Sequence, residues 1–313
     1  MKSRPDIVTN VSMSQGITIS KRDSAILSFL DLTPATAAQI RKVSATYGED
    51  FFRDERRVRE RLQALGDAGL VKSYSLAVAG GGLMSYYRLT PEGYRAAFPD
   101  KSESPPRTNF AEVAPSRVRH AIATADAIAH TMTASHNAGV EILSSHGDGR
   151  LVLEIGEYRQ VPDFHFQLSK AGKVFNLVFE IDNATEPIDS MREQSIRTKI
   201  LGYEMYQNWV LSLWSQSGRC GPRPSFRVIF LTIGVERANH ILWFANERAN
   251  NLDRRLIYAT TQDNYLSEER AVTQPIFNDH LGHWQSLVNH QPTSAFVRER
   301  VRFARPIART GIL

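Results

Sequence analysis

Cysteine is nearly missing from this chain of 313 residues: Cys220 stands alone. One thiol cannot close an intramolecular disulfide, so a disulfide scaffold and a CxxC zinc site are both excluded, and a reducing, cytoplasmic compartment is expected. No apolar run approaches the roughly 18 residues that a membrane span needs. The opening MKSRPDIVTNVSMSQ lacks an apolar h-region, so no signal peptide is expected. Internal repeats, low-complexity tracts, a His-x-His pair and a nucleophile elbow are also absent. What is present is an ordinary globular balance, 42% hydrophobic and 23% charged, on a chain long enough for two domains.

The formal charge of +5 is unevenly placed. Residues 1–98 carry 14 basic and 10 acidic side chains, and 292–313 carry five Arg and one Glu. The stretch between them, 99–291, is mildly acidic, with 19 basic against 22 acidic. A uniformly basic coat for polyanions is therefore excluded. Proline and serine concentrate in 99–116, PDKSESPPRTNFAEVAPS, which reads as a linker. The expected organisation is a loose arm (1–19), a first domain (20–98), the linker, and a second domain (117–313) ending in the basic tail Arg298, Arg300, Arg302, Arg305 and Arg309.

In the first domain, Ser20 with Asp23 three residues on forms a capping box ahead of a helix at 21–32. Thr33-Pro34 is expected to start a second helix. A third, over 49–68, sets Phe51, Val58, Leu62 and Leu65 toward a core and Arg53, Arg57 and Arg61 on another face, flanked by Arg56 and Arg59. Gly66 and Gly69 bracket its end. A hairpin follows, 70–74 and 85–89, joined through Gly80-Gly81-Gly82, with Thr90 capping a last short helix. Three helices and a hairpin is winged-helix order. An arginine-faced helix suits a major groove, with edge cations such as Lys72 of the hairpin on phosphates. The competing reading is a solvated face, since Asp54, Glu55 and Glu60 lie within pairing distance of those arginines.

The second domain opens on an alanine-rich helix at 117–135. Short strands are expected at 140–143 and 151–155, with a turn at Gly147-Asp148-Gly149. Two alternating arms follow, 161–168 and 174–182. If Ala171-Gly172 is the turn, Phe164 faces Phe179, Phe166 faces Leu177 and Leu168 faces Phe175. That register puts Asp163 opposite Glu180 on the polar face, with Asp182 two residues on. Like charges so placed repel. Mg²⁺ held by Asp163, Glu180 and Asp182 would offset the repulsion and could activate water against a phosphodiester; a solvent-facing acidic patch is the other reading. A helix at 189–214, capped by Asp189 or Ser190, carries Arg192, Ser195, Lys199, Tyr203 and Tyr206 on a polar stripe. Ile196, Ile200, Trp209 and Leu213 take its buried side. Lys199 could stabilise phosphoryl charge and Tyr203 could orient water. A strand at 226–231, a helix at 235–251 and a strand at 256–260 complete the pattern. Asp279, His280, His283 and His290 are spaced closely enough to ligate a metal, but with no strand or helix to fix them ordinary surface histidines are expected.

The order of Pro162-Asp163, Glu180-Ile181-Asp182 and a following helix resembles the PD-(D/E)xK nuclease core. Position 182 is Asp where that motif has Lys; some members of that superfamily carry the lysine on the following helix, where Lys199 sits here. The whole arrangement, through stretches 57–71, 87–93, 162–163, 179–186 and 199–203, resembles the replication-relaxation family of mobile elements, which includes MobC-class plasmid relaxases. The resemblance implies a winged helix joined to a restriction-endonuclease-like α+β domain with a mixed central sheet. It implies a DNA-processing or DNA-organising role on plasmids or integrated elements, with double-stranded DNA as partner and relaxosome or replication proteins and a homodimeric second copy as further associations; together with the paired carboxylates, the expected activity is Mg²⁺-dependent nicking. A non-catalytic regulator or relaxosome accessory protein is the alternative.

Overall fold

Ser20 begins the first helix with a reciprocal cap: its side chain accepts from the Asp23 N–H, and Asp23 accepts from the Ser20 N–H at 2.8 Å. In the computed structural model, which describes residues 18–77, 81–147, 149–190, 195–218, 224–248 and 255–288, this cap starts α1 (Lys21–Leu32). The second helix does not start at Thr33-Pro34. Thr33 closes α1, and Thr36 caps α2 (Ala37–Ser44), because Ala35 and Thr36 are drawn into a short strand, β1, paired with Tyr87 and Tyr86. The third helix is also shorter than expected. Gly48–Asp50 form a 3₁₀ turn, and Asp54 caps α3 (Glu55–Asp67) at the Arg57 N–H. Val58, Leu62 and Leu65 are buried as their spacing demands. Phe51, assigned to the core on the premise that the helix began at 49, is 49% exposed, and Phe52 is buried instead.

The hairpin consists of β2 (Val71–Ala77) and β3 (Leu83–Leu89), and β1 extends it to an antiparallel sheet in the order β1-β3-β2. Thr90 caps α4 (Pro91–Ala97). The proline-rich stretch after α4 is tied to this sheet: Arg88 donates to the Ala111 carbonyl at 2.7 Å, and the Tyr86 hydroxyl accepts from the Val113 N–H at 3.1 Å. The chain divides into two units after Ala125, within α5 (Pro115–Asn137).

The second unit continues with β4 (Glu141–Gly147), the small hairpin β5 (Leu153–Ile155) and β6 (Tyr158–Gln160), then β7 (Phe164–Lys170) and β8 (Lys173–Asp182). After these come α6 (Ile196–Gln216), β9 (Phe226–Thr232), α7 (Val235–Arg248), β10 (Ile257–Thr261), α8 (Gln262–Ser267), β11 (Phe277–Asp279) and β12 (Trp284–Gln285). The fold is mixed α+β. Seven strands lie in the order β12-β11-β10-β9-β8-β7-β4. The β8–β9 and β9–β10 pairs are parallel and the rest antiparallel. One face is built into a core from α6 and α7, including Ile200, Tyr203, Ile241 and Leu242 against Val178 and Phe230. On the other, Phe164 and Phe179 stack at 4.4 Å, with Tyr265 alongside.

Two expectations for α6 are corrected. Ser195, not Asp189 or Ser190, is its cap, accepting from the Thr198 N–H. Trp209 and Leu213, expected on the buried side, are 38% and 46% exposed. The buried residues of α6 all lie between Ile196 and Gln207, so its later residues are left more exposed. Among the described residues no helix is long and apolar enough to cross a membrane. Cys220, Arg192, His290, Asp148, Gly80 and the five tail arginines lie outside the described residues.

Candidate active site

The register of β7 and β8 is set at their turn. Ala171 and Gly172 both take positive φ, 50° and 75°, the backbone of a two-residue turn whose twist matches the flanking strands. Lys170 then faces Lys173, and the pairing runs through Leu168/Phe175 and Phe166/Leu177 to Phe164/Phe179. One step further, Asp163 donates its N–H to the Phe179 carbonyl at 3.1 Å and accepts the Ile181 N–H on Oδ2 at 2.6 Å. Asp163 is thus pinned beside Glu180 at the end of β8.

The face holding Glu180 is not open to solvent. Glu180 is 2% exposed and Asp182 4%, because α6 and α7 cover that side of the sheet. Lys199 and Tyr203 lie one turn apart on α6 and both reach Glu180. The Lys199 ammonium donates to Glu180 Oε2 at 2.9 Å and to Glu186 at 2.9 Å. The Tyr203 hydroxyl makes a short bond to Glu180 Oε1, which also accepts from Gln160 Nε2 at 3.1 Å. Gln160 comes from the β5–β6 hairpin, which is seated on α6 through Tyr158. A Cβ on Gly202 would lie 1.9 Å from the Tyr158 hydroxyl oxygen, so only glycine admits this ring.

Burial pushes the Glu180 carboxyl up to about 7; Lys199 pulls it down and the nearby Asp163 charge adds to the rise. Burial alone would lower Lys199, but Glu180, Glu186 and Asp163 reverse this and hold it protonated. Tyr203 is raised well above its ordinary value by burial and by the Glu180 charge, so it serves as a proton donor to Glu180 and not as a phenolate.

Asp182 faces another cation. Arg237, in the first turn of α7, grips it through Nε at 2.6 Å and a second nitrogen at 3.0 Å, and also reaches the Glu186 carbonyl. The structure thus brings Asp163, Glu180, Lys199 and Tyr203 together and hands Asp182 to Arg237. Among the described residues no three of His, Cys, Asp and Glu form a group that could hold a metal ion. Gln160, Tyr158 and Arg237 escaped the sequence reading. Arg237 carried a signal: a helix that follows a strand parallel to β8 starts beside the end of β8, where Asp182 lies. Asp279 is buried and organises its own turn, accepting the N–H groups of Leu281 and His283 at 3.0 and 2.9 Å, and His280 is buried.

In the first unit, Arg53, Arg56, Arg57, Arg59 and Lys72 are exposed. Arg59 pairs with Glu55 at 2.6 Å and Arg56 with Glu60 at 3.6 Å, while Arg57 stands 3.9 Å from Asp54. The Lys72 ammonium lies 5.1 Å from the Tyr74 ring centroid. Arg61 differs from the others: its guanidinium forks onto Asp23, which is fully buried, with bonds of 2.6 and 2.5 Å.

The first unit is therefore a set of short helices on a three-stranded antiparallel sheet, and the second a mixed sheet with a buried carboxylate–lysine cluster. The family model described as replication-relaxation matches residues 28–211, more than half of the chain. The chain belongs to the replication-relaxation family. Among solved structures, the restriction endonuclease FokI aligns with 80% of this chain and 43% of its own at 11% identity, with a TM-score of 0.26. The chain thus spans less than half of that structure's length. No curated protein matches the sequence.

Proposed function

We propose that this protein processes DNA strands for a mobile genetic element. In this reading the first unit is a winged helix that grips duplex DNA through α3 and the hairpin. The second is a PD-(D/E)xK-type nuclease domain whose site is Asp163, Glu180 and Lys199. The observation that carries it is the convergence of Lys199 and Tyr203, from one face of α6, on a buried Glu180 beside Asp163. Family membership supports the mobile-element context.

The donor set fits Mg²⁺. Asp163 and Glu180 are neighbouring hard oxygen ligands, and Mg²⁺ is commonly held by one or two carboxylates, with water and substrate phosphate completing its shell. Those two residues would hold it, whereas Asp182 is committed to Arg237. When bound, the ion would supply Lewis-acid polarisation of a phosphodiester and a more acidic water. The protein's own groups do the rest. The Lys199 ammonium offsets charge on the phosphoryl group, the role a fixed cation plays best in a water-poor site. Tyr203 and Gln160 fix the Glu180 carboxylate, and Arg237 anchors the chain after β8 through Asp182 and the Glu186 carbonyl. Relaxosome or replication proteins and a second copy of the chain are the associations this role calls for.

A second reading is favoured by one observation: both Glu180 oxygens are already bonded to protein groups at 2% exposure. A DNA-binding accessory protein would keep that network for stability alone. Relaxation of supercoiled plasmid in Mg²⁺ or Mn²⁺ separates the two. The enzyme reading predicts nicking by wild type and none by Asp163→Ala.

A further inference from the structure

A cleft of about 110 Å³ opens in the second unit among α7, β10, α8 and the edge strands β11 and β12. Its floor is Leu242 and Ala259, both buried. Three carboxamides line it: Asn239, Asn278 and Asn264, whose amide nitrogen already donates to Thr260 Oγ1 at 2.9 Å and to the Ile276 carbonyl at 3.3 Å; the Trp284 indole, 56% exposed, stands beside them. The side chains of Asn239 and Asn278 have no hydrogen-bond partner among the described residues. No Asp, Glu, Lys, Arg or His lines the cleft.

We infer that this cleft receives a single unpaired nucleobase of the DNA on which the second unit acts. The inference rests on the DNA-processing reading above. The uncharged lining offers nothing to a phosphate or a carboxylate. Carboxamides present a donor beside an acceptor, the pattern that matches a base edge. An exposed indole beside an apolar floor is a stacking platform, and base–aromatic stacking is tolerant of sequence. The volume is well below the roughly 300–1,000 Å³ of a drug-sized site, so one ring system enters and the sugar-phosphate stays outside.

Placement joins the cleft to the carboxylates. Asp182 is in register with Thr232 on β9, and Thr232 with Thr261 on β10, which lines the cleft. Two interstrand spacings, about 10 Å, separate Asp182 from Thr261. A base seated here belongs to a nucleotide near the proposed scissile phosphate, and extruding it would cost the stacking that the cleft restores.

The test uses the full-length protein and two fluorescently labelled single-stranded DNA oligomers, an oligo-dA and the same backbone with abasic sugars, followed by anisotropy. Wild type is expected to bind the oligo-dA about tenfold more tightly than the abasic strand. Trp284→Ala and Asn278→Ala should collapse that preference while leaving abasic affinity unchanged, and Trp284→Phe should keep most of it. Equal binding of both strands by wild type overturns the cleft and leaves the DNA reading standing. A preference unchanged in both alanine variants also overturns it. Failure to bind either strand or duplex DNA defeats both.

Discussion

Arg57 and Arg61 lie four residues apart on the same face of α3, and the structure gives them different surroundings. Arg61 neutralises Asp23, a carboxylate that also caps α1 and is fully buried. For Asp23, burial pushes the carboxyl up, but the bonds from Arg61 and Ser20 outweigh it and hold the group below its ordinary value. Removing Arg61 leaves a buried charge without its cation, so Arg61→Ala should destabilise the protein by about 3 kcal/mol in denaturant titrations. Arg57 is 62% exposed and weakly paired. Arg57→Ala should leave stability unchanged and weaken duplex binding, reducing the salt slope by about one. Weaker DNA binding by Arg61→Ala at unaltered stability would contradict this division. Glu180 makes a second prediction at this scale. It holds its proton more tightly folded, at about 7, than at its ordinary 4.5. Its contribution to stability is therefore full below pH 4.5 and is lost as pH rises through about 7. Glu180→Gln should flatten the decline in melting temperature between pH 5 and pH 8; an unaltered decline would place the titration elsewhere.

Helix α6 shows what local pattern can and cannot reveal. Lys199 and Tyr203 were legible as one stripe because a four-residue step repeats on one helix face. The start of α6 was not legible. Asp189 and Ser190 are sound caps by type, yet the Ser190 carbonyl accepts a bond from Ser195, and Ser195 takes the cap. The β7–β8 register was legible because two alternating arms and a turn of fixed length leave little freedom. The two-residue β1 was not, since its pairing with β3 is set by a partner some fifty residues away in sequence. The burial of Glu180 was hidden for a similar reason: alternation marks two faces of a strand but does not say that helices cover both. Gly202 carries the element-scale prediction. Gly202→Ala puts a methyl group into the Tyr158 ring and must displace the β5–β6 hairpin that delivers Gln160. A loss of about 1–3 kcal/mol is expected, as for overpacked cores. Tyr158→Ala in the same background should recover part of it in thermal melts. No loss in Gly202→Ala would show that the hairpin is not seated on α6.

Across the whole chain, charge is unevenly placed between the two units. The first unit carries a basic surplus, and its exposed arginines on α3 suit a backbone grip that weakens with salt. The second gathers Asp163, Glu180, Asp182 and Glu186 at the end of one strand and answers them with Lys199 and Arg237. In the proposed function this acidic cluster processes strands that the basic unit holds. The most direct measurement runs two assays side by side on wild type and Asp163→Ala: relaxation of supercoiled plasmid in Mg²⁺ or Mn²⁺, and duplex binding. The substitution should abolish relaxation and change duplex affinity by less than about twofold, as expected for loss of a metal-ion ligand away from the phosphate grip. Wild type and variant equally inert toward every DNA form in both metals, with duplex binding intact, would rule out strand processing at Asp163 and Glu180.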